Sequence, residues 1–163
     1  MKGSDTQRTR QIGEYLVAAR LMKKGWNATT FTGNLPLIDI VAINDRGETI
    51  KVQVKTIKTG DWQFDIQKFV EMKFDDANGS QEMGEMIRQP FDFYYVFVKL
   101  DSEDIMKSRF YVIPSKLFQT FLVKRYREWL REIDGKRPRN PQSTHSALSE
   151  SELEEFKDNW ELK

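Results

Sequence analysis

Three short stretches of the chain hold side chains that do not suit their surroundings. Asp39 is a carboxylate inside the run Leu37-Ile38-Asp39-Ile40-Val41-Ala42-Ile43, which is otherwise apolar. Burying a lone ionised carboxylate is costly unless a cation or strong hydrogen-bond donors answer it. A strand that only had to pack would carry an aliphatic residue there. The segment Ile50-Lys51-Val52-Gln53-Val54-Lys55-Thr56 alternates, so Gln53 and Lys55 share one face and Val52 and Val54 the other. Glu14 lies on a line with Val17, Ala18 and Leu21 at i, i+3, i+4 and i+7, an acid on an apolar helical stripe. Two carboxylates, an amide oxygen and an ammonium are the parts of an oxygen-ligated cation site with a positive group beside it. The chain has no cysteine and one histidine, His145, so thiolate metal sites are excluded and imidazole-rich ones disfavoured. Hard oxygen ligands favour magnesium, manganese or calcium over zinc.

The elements that must position these groups can be read from periodicity and punctuation. Residues 7–24 read as a helix ended by Gly25, after basic residues in the last turn. Strands are expected over 27–32, over 37–43, where a continuous apolar run suits burial on both faces, and over 49–57. Asn44-Asp45-Arg46-Gly47 supplies the turn chemistry of a hairpin. If Ile43 pairs with Thr49, Asp39 falls opposite Gln53, and a slip of one residue would send Asp39 to the wrong face. Trp62-Gln63-Phe64 reads as a short extension or loop, and 66–73 as a short helix followed by a polar connection to about residue 89. Further strands are expected at 91–100 and 109–113. A long helix over 116–133, capped by Ser115, an irregular stretch over 136–146, and a short acidic helix opened by an S-x-x-E capping box at Ser149 complete the chain. This order makes an α/β fold with a mixed central sheet flanked by helices, one domain over 1–163 with extra C-terminal helices beyond residue 115.

These residues carry a family resemblance. Pro36-x-x-Asp39, followed fourteen positions later by Gln53-Val54-Lys55 and preceded by a helix bearing Glu14, resembles the active-site pattern of the PD-(D/E)xK superfamily of restriction-endonuclease-like nucleases. The resemblance covers roughly 7–113. It implies a core of a helix, a β-hairpin bearing the catalytic residues, a further helix and further strands. Gln53 stands where an acid is usual, a Q-x-K form shared with Mrr-like restriction enzymes, and Pro36 is three residues before Asp39 rather than adjacent to it. The implied activity is hydrolysis of phosphodiester bonds in nucleic acid, in the first instance DNA, assisted by Mg²⁺ or Mn²⁺. Asp39, Gln53, Glu14 and the Val54 carbonyl would hold the ion, and Lys55 would orient water or steady the phosphate. Cleavage of both strands would call for a homodimer.

Other readings stand beside that one. Asp39 can bond a neighbouring backbone group, Glu14 can pair with an arginine, and Gln53 and Lys55 can form a solvated hairpin face. The whole chain can be a catalytically silent relative that binds nucleic acid, or a protein-interaction domain. Net charge is +1, but residues 107–139 hold ten Lys/Arg against three Asp/Glu. That local excess makes Lys124, Arg125, Arg127 and Arg131, with Lys58 and Thr56 near the hairpin, candidates for meeting phosphate. His145 reads as an exposed loop residue, and Trp62 and Phe64 as core. Tyr126, Trp129 and Ile133 read as the buried stripe of the long helix. Without a signal peptide or an apolar run of bilayer length, a cytoplasmic protein without membrane contact is expected.

Overall fold

The computed structural model describes residues 3–31 and 36–163. In chain order the elements are α1 (Gly3–Lys23), β1 (Trp26–Thr30), β2 (Ile40–Asn44), β3 (Thr49–Ile57), β4 (Trp62–Asp65), β5 (Val70–Asp75) and β6 (Ser80–Met86). They continue with β7 (Tyr94–Lys99), β8 (Arg109–Pro114), α2 (Ser115–Glu132) and β9 (His145–Leu148), and a 3₁₀ segment Glu150–Phe156. The chain divides into two compact units, one from 1–62, 92–115 and 149–163, the other from 63–91 and 116–148.

The first unit is built on a five-stranded mixed sheet in the order β1-β2-β3-β7-β8. β1, β2 and β3 are antiparallel neighbours, β3 runs parallel to β7, and β7 is antiparallel to β8. Helix α1 ends where its sequence says it should. Gly25 takes φ 88°, and its amide donates to the Met22 carbonyl. The helix lays Val17, Ala18 and Leu21 on Ile40, Ala42, Val52, Val54, Val96 and Val98 of the sheet. Each such aliphatic side chain taken from water contributes about 1.5–3 kcal/mol. The alternate residues of β7 and β8 build an aromatic layer instead. Tyr95 stacks on Phe97 at 5.8 Å, and Trp62 meets Phe97 and Tyr111 edge-on at 5.4 and 6.1 Å. Trp62 Nε1 donates to the Lys55 carbonyl at 2.8 Å, so this tryptophan is core.

The segment after residue 148 belongs to this unit. Asp158 donates its amide to the Phe110 carbonyl, and Trp160 packs on Phe110 at 5.8 Å. Arg109 makes a two-pronged pair with Glu150, whose other contact is the Tyr111 hydroxyl at 2.5 Å. Glu152 reaches back to the Ser149 amide at 2.8 Å, the reach-back expected of the capping box. The expected acidic helix is a 3₁₀ segment.

The second unit corrects the sequence reading. Residues 66–73 are not a helix: a 3₁₀ turn, Ile66–Lys68, leads into β5, which pairs with β6 as a hairpin through the supposed connection. Val70, Met72 and Phe74 alternate with Glu71, Lys73 and Asp75, and Gly79 takes φ 70° at the turn. The further helix implied between hairpin and later strands is therefore replaced by β-structure. Ser115 does not serve mainly as a cap, since its hydroxyl accepts from the Phe93 amide at 3.3 Å. His145 lies on β9, which pairs with β4, rather than in a loop. Phe64, Phe69 and Phe118 form an aromatic cluster at 5.2–6.1 Å. Two buried amides hold this unit. Gln119 donates to the carbonyls of Phe69 and Ile87, and Gln81 donates to Ser143 while accepting from the Tyr126 hydroxyl at 2.8 Å. Among the described residues no helix is long and apolar enough to cross a membrane.

One steric contact seats α1. An ideal Cβ on Gly13 would fall 1.8 Å from Thr56 Oγ1 and 2.8 Å from Thr56 Cβ. Gly13→Ala should therefore lift the helix and lower stability by about 3 kcal/mol, seen as a Tm drop of about 6–10 °C. Adding Thr56→Ala should recover part of it, and an unchanged Tm in the single variant would show that the helix is seated elsewhere.

The Arg109 guanidinium holds the Glu150 carboxyl down to about 2 from an ordinary 4.5, against an opposing effect of burial. A depressed carboxyl stabilises the fold above its ordinary value and loses that contribution as pH falls toward 2. Because the pair is partly solvated, the contribution is about 1–2 kcal/mol. Denaturant titrations of Glu150→Gln should show that deficit at pH 7 and a vanishing difference from the parent by pH 2.

Candidate active site

The β2–β3 hairpin takes the register expected of it: Ile43 opposite Thr49, Ala42 opposite Ile50, Val41 opposite Lys51 and Ile40 opposite Val52. Its turn is fixed by the Asn44 carboxamide oxygen, which accepts the amides of Arg46 and Glu48 at 3.0 Å each. Gly47 supplies the positive φ, 79°. The paired register ends at Ile40 and Val52, so the expected pairing of Asp39 with Gln53 does not form: the Asp39 amide bonds the Val52 carbonyl instead.

Asp39 stands in a bend just before β2 starts. Its amide donates to the Val52 carbonyl at 2.9 Å, and its carbonyl accepts from Phe31 at 3.2 Å. Its carboxylate accepts the Val54 amide at 2.7 Å, filling the place of a strand carbonyl. This explains how an acid survives in an apolar run: a half-buried carboxylate answered by a backbone donor is stable. One bond leaves most of its acceptor capacity unspent, since an ionised carboxylate offers about four lone-pair sites. A strand residue projects its N–H and C=O to the same side, so the Val54 carbonyl shares the Asp39 side of β3.

Glu14 follows Gly13 on α1 and is half-buried. Its carboxyl is pushed above the usual range, first by burial, then by the negative charge of Asp39, with Arg10 one turn earlier pulling the other way. Asp39 thus bonds the Val54 backbone and lies within electrostatic range of Glu14. Gln53 and Lys55 are half-buried and pair in register with Tyr95 and Phe97 of β7. Alternation places them on the sheet face opposite Val52 and Val54, which pack under α1. The next residue toward α1 is Thr56, whose buried Oγ1 has no partner among the described residues. Among the described residues no three of His, Asp and Glu converge to hold a metal ion. The groups that the structure brings together are the Asp39 and Glu14 carboxylates and the Val54 backbone, while Gln53 and Lys55 lie on the sheet face away from α1.

Leu37, two residues before Asp39, takes φ 67°, a conformation that a bulky residue rarely adopts. Nothing in its sequence signals that. Gly13 and Arg10 also escaped the sequence reading. A glycine on the buried face of a helix is the signal that finds the first, and an arginine one turn from a half-buried acid the second. Residues 32–35, including the end of the expected first strand, lie outside the described residues.

The basic candidates are spread over other elements. Lys58 pairs with Asp5 of α1 at 3.3 Å. On α2, Lys124 lies 3.9 Å from Glu128, and Arg125 donates to the Ser146 hydroxyl at 2.9 Å. Arg127 and Arg131 are exposed and line an open hollow with Glu82 and Asp134.

Asp39→Ala should strip the Val54 amide of its acceptor at a cost of about 1–3 kcal/mol, whereas Asp39→Asn keeps an acceptor and should cost less. In both variants the Glu14 carboxyl should titrate at lower pH, because a repelling charge has gone, while burial still holds it above its ordinary value. A carboxyl-carbon NMR titration reads this directly. A Glu14 curve that does not move would show that the two acids are not electrostatic neighbours.

No protein family matches the sequence, and no curated protein is similar to it. Among solved structures the chain is similar to a bacterial homing endonuclease, I-Ssp6803I, with 19% identity and a TM-score of 0.47. The likeness covers 95% of this chain and 90% of that one.

Proposed function

We propose that this chain is a metal-dependent nuclease of the restriction-endonuclease-like, PD-(D/E)xK class in its Q-x-K form, hydrolysing phosphodiester bonds in DNA. The observation that carries the reading is Asp39, fixed by the Val54 amide at the mouth of the hairpin and electrostatically coupled to Glu14. Two half-buried carboxylates that repel one another are an arrangement that a divalent cation relieves. The donor set is all oxygen, which suits Mg²⁺ or Mn²⁺. Asp39, Glu14 and the Val54 carbonyl are the groups that would hold it, and the reading requires the Gln53 carboxamide oxygen and the Lys55 ammonium to reach the same ion past the end of β2, from the sheet face away from α1. When bound, such an ion lowers the pKa of a coordinated water and neutralises charge on the scissile phosphate.

The chain's own groups divide the remaining work. The Val54 amide keeps the Asp39 carboxylate from swinging away. Gly13, pressed on Thr56, sets the height of Glu14 above the sheet. The Lys55 ammonium donates to a phosphate oxygen or to the attacking water, and stabilises the extra negative charge of the five-coordinate phosphorus. Water oxygen bonds to phosphorus as the P–O bond to the leaving sugar oxygen breaks, and the departing alkoxide takes up a proton. The exposed Lys124, Arg127 and Arg131 of α2 supply cations for DNA phosphates.

A second reading has its own support. Gln53 in place of an acid, with no third acid converging, favours a silent relative that binds DNA and does not cut it. Plasmid nicking in Mg²⁺ or Mn²⁺, with calorimetric titration of each ion, separates the two. The nuclease reading expects cleavage that falls by at least about 10²-fold in Asp39→Ala and Lys55→Ala, and tighter metal binding in Gln53→Glu. Salt-sensitive DNA retention with neither metal binding nor cleavage would replace it with the second reading.

A further inference from the structure

The second unit contains a cavity of about 490 Å³ between α2 and β9, within the range of pre-formed small-molecule sites. Its chemistry is organised around Arg137. The Arg137 Nη1 donates to the carbonyls of His145 at 2.8 Å and Ser143 at 3.1 Å, and meets the Tyr126 hydroxyl at 3.5 Å. The guanidinium carbon lies 5.2 Å from the centroid of the Trp129 ring, which is itself packed against Tyr126 at 5.2 Å.

Every one of these partners is neutral, and every hydrogen bond uses the same nitrogen. The Nε–H and the two Nη2–H donors have no partner among the described residues. A guanidinium carries five donors in a fixed fork, and this one is locked in place with three unspent. Arg137 lines the cavity with donors to spare, its guanidinium over the Trp129 ring. That is the arrangement that binds phosphate bidentately while its plane offers a stacking surface to a base. Glu128 and Glu132 also line the cavity, both exposed. Carboxylates accept from exocyclic amino groups, so they suit the far edge of a base and not its phosphate.

We propose that this cavity binds a nucleoside 5′-phosphate, with the phosphate on the Arg137 fork, the base beside the Trp129–Arg137 stack, and its amino group toward Glu132. Free mononucleotide and the 5′-terminal nucleotide of a strand share this chemistry. The inference is independent of the nuclease reading, because none of these residues belongs to the β2–β3 site and its test involves no cleavage.

Calorimetric titration of the full chain with the four deoxynucleoside 5′-monophosphates, inorganic phosphate, and a short 5′-phosphorylated single strand tests it. Saturable binding is expected, at least tenfold tighter for dAMP, dGMP and dCMP than for inorganic phosphate, and weaker for TMP, which has no amino group. Arg137→Lys keeps the charge and loses the fork, and should weaken binding at least tenfold with the melting curve confirming a folded chain. Glu132→Ala removes the acceptor from an exposed position, and should erase the preference over TMP. A strand binding more tightly than the monophosphates identifies a strand end as the ligand, and equal affinity identifies the free nucleotide. Inorganic phosphate binding as tightly as any nucleotide overturns the proposal. So does the absence of saturation at millimolar nucleotide, an unaltered affinity in a folded Arg137→Lys, or an unaltered base preference in Glu132→Ala.

Discussion

A side-chain carboxylate standing where a peptide carbonyl would normally stand governs the geometry of the first unit. Because Asp39 takes up the Val54 amide through its side chain, β2 begins only at Ile40, and the chain before it bends away from β3. The same bond places an anion at a fixed point on the rim of the sheet, beside a carbonyl that projects to the same side. A second contact, purely steric, does the complementary job on the helix. With no side chain, Gly13 lets the α1 backbone settle onto Thr56, and the residue after it is Glu14. One polar contact and one steric contact therefore bring two acids from distant parts of the sequence into each other's field.

Such an arrangement is not what stability alone would select. Two neighbouring carboxylates, one lifted above its ordinary range by burial, weaken the fold unless something positive joins them. Arg10 offsets only part of that. The left-handed backbone at Leu37 adds a local cost close by. Strain and unfavourable charge thus lie close together, in a unit otherwise packed from aliphatic and aromatic side chains.

Much of this was legible before any coordinates, and the limits are physical. The bounds of β3 and the pairing of Ile43 with Thr49 could be read because alternation and an Asx turn act locally. The mixed α/β order and the burial of Trp62 and Phe64 followed from the same kind of signal. The β5–β6 hairpin could not be read with equal ease, because most of its side chains are exposed and a solvated two-stranded ribbon carries little hydrophobic period. β9 has four residues, and its partner β4 is some eighty positions earlier, so nothing nearby marks it. At the site, Asp39 was recognisable as out of place, and its bond to a neighbouring amide was one of the readings left open. What the sequence could not disclose was that this amide belongs to Val54, or that Gly13 is the point of closest approach. Both depend on distances between elements and not on any pattern along them. Arg137 was hidden for the same reason, since its partners are carbonyls whose placement no residue type encodes.

The first unit takes three separate stretches of chain, and the last of them, 149–163, brings Leu153, Phe156 and Trp160 into buried positions and Glu150 onto Arg109. During synthesis, helix α1 and the hairpin emerge long before the side chains that finish their unit. Until those residues leave the ribosome, Phe110 lacks the tryptophan that covers it. The nascent chain therefore exposes apolar core surface late into translation, a state that invites association with other chains. The unit's buried core is complete only once its last stretch is in place.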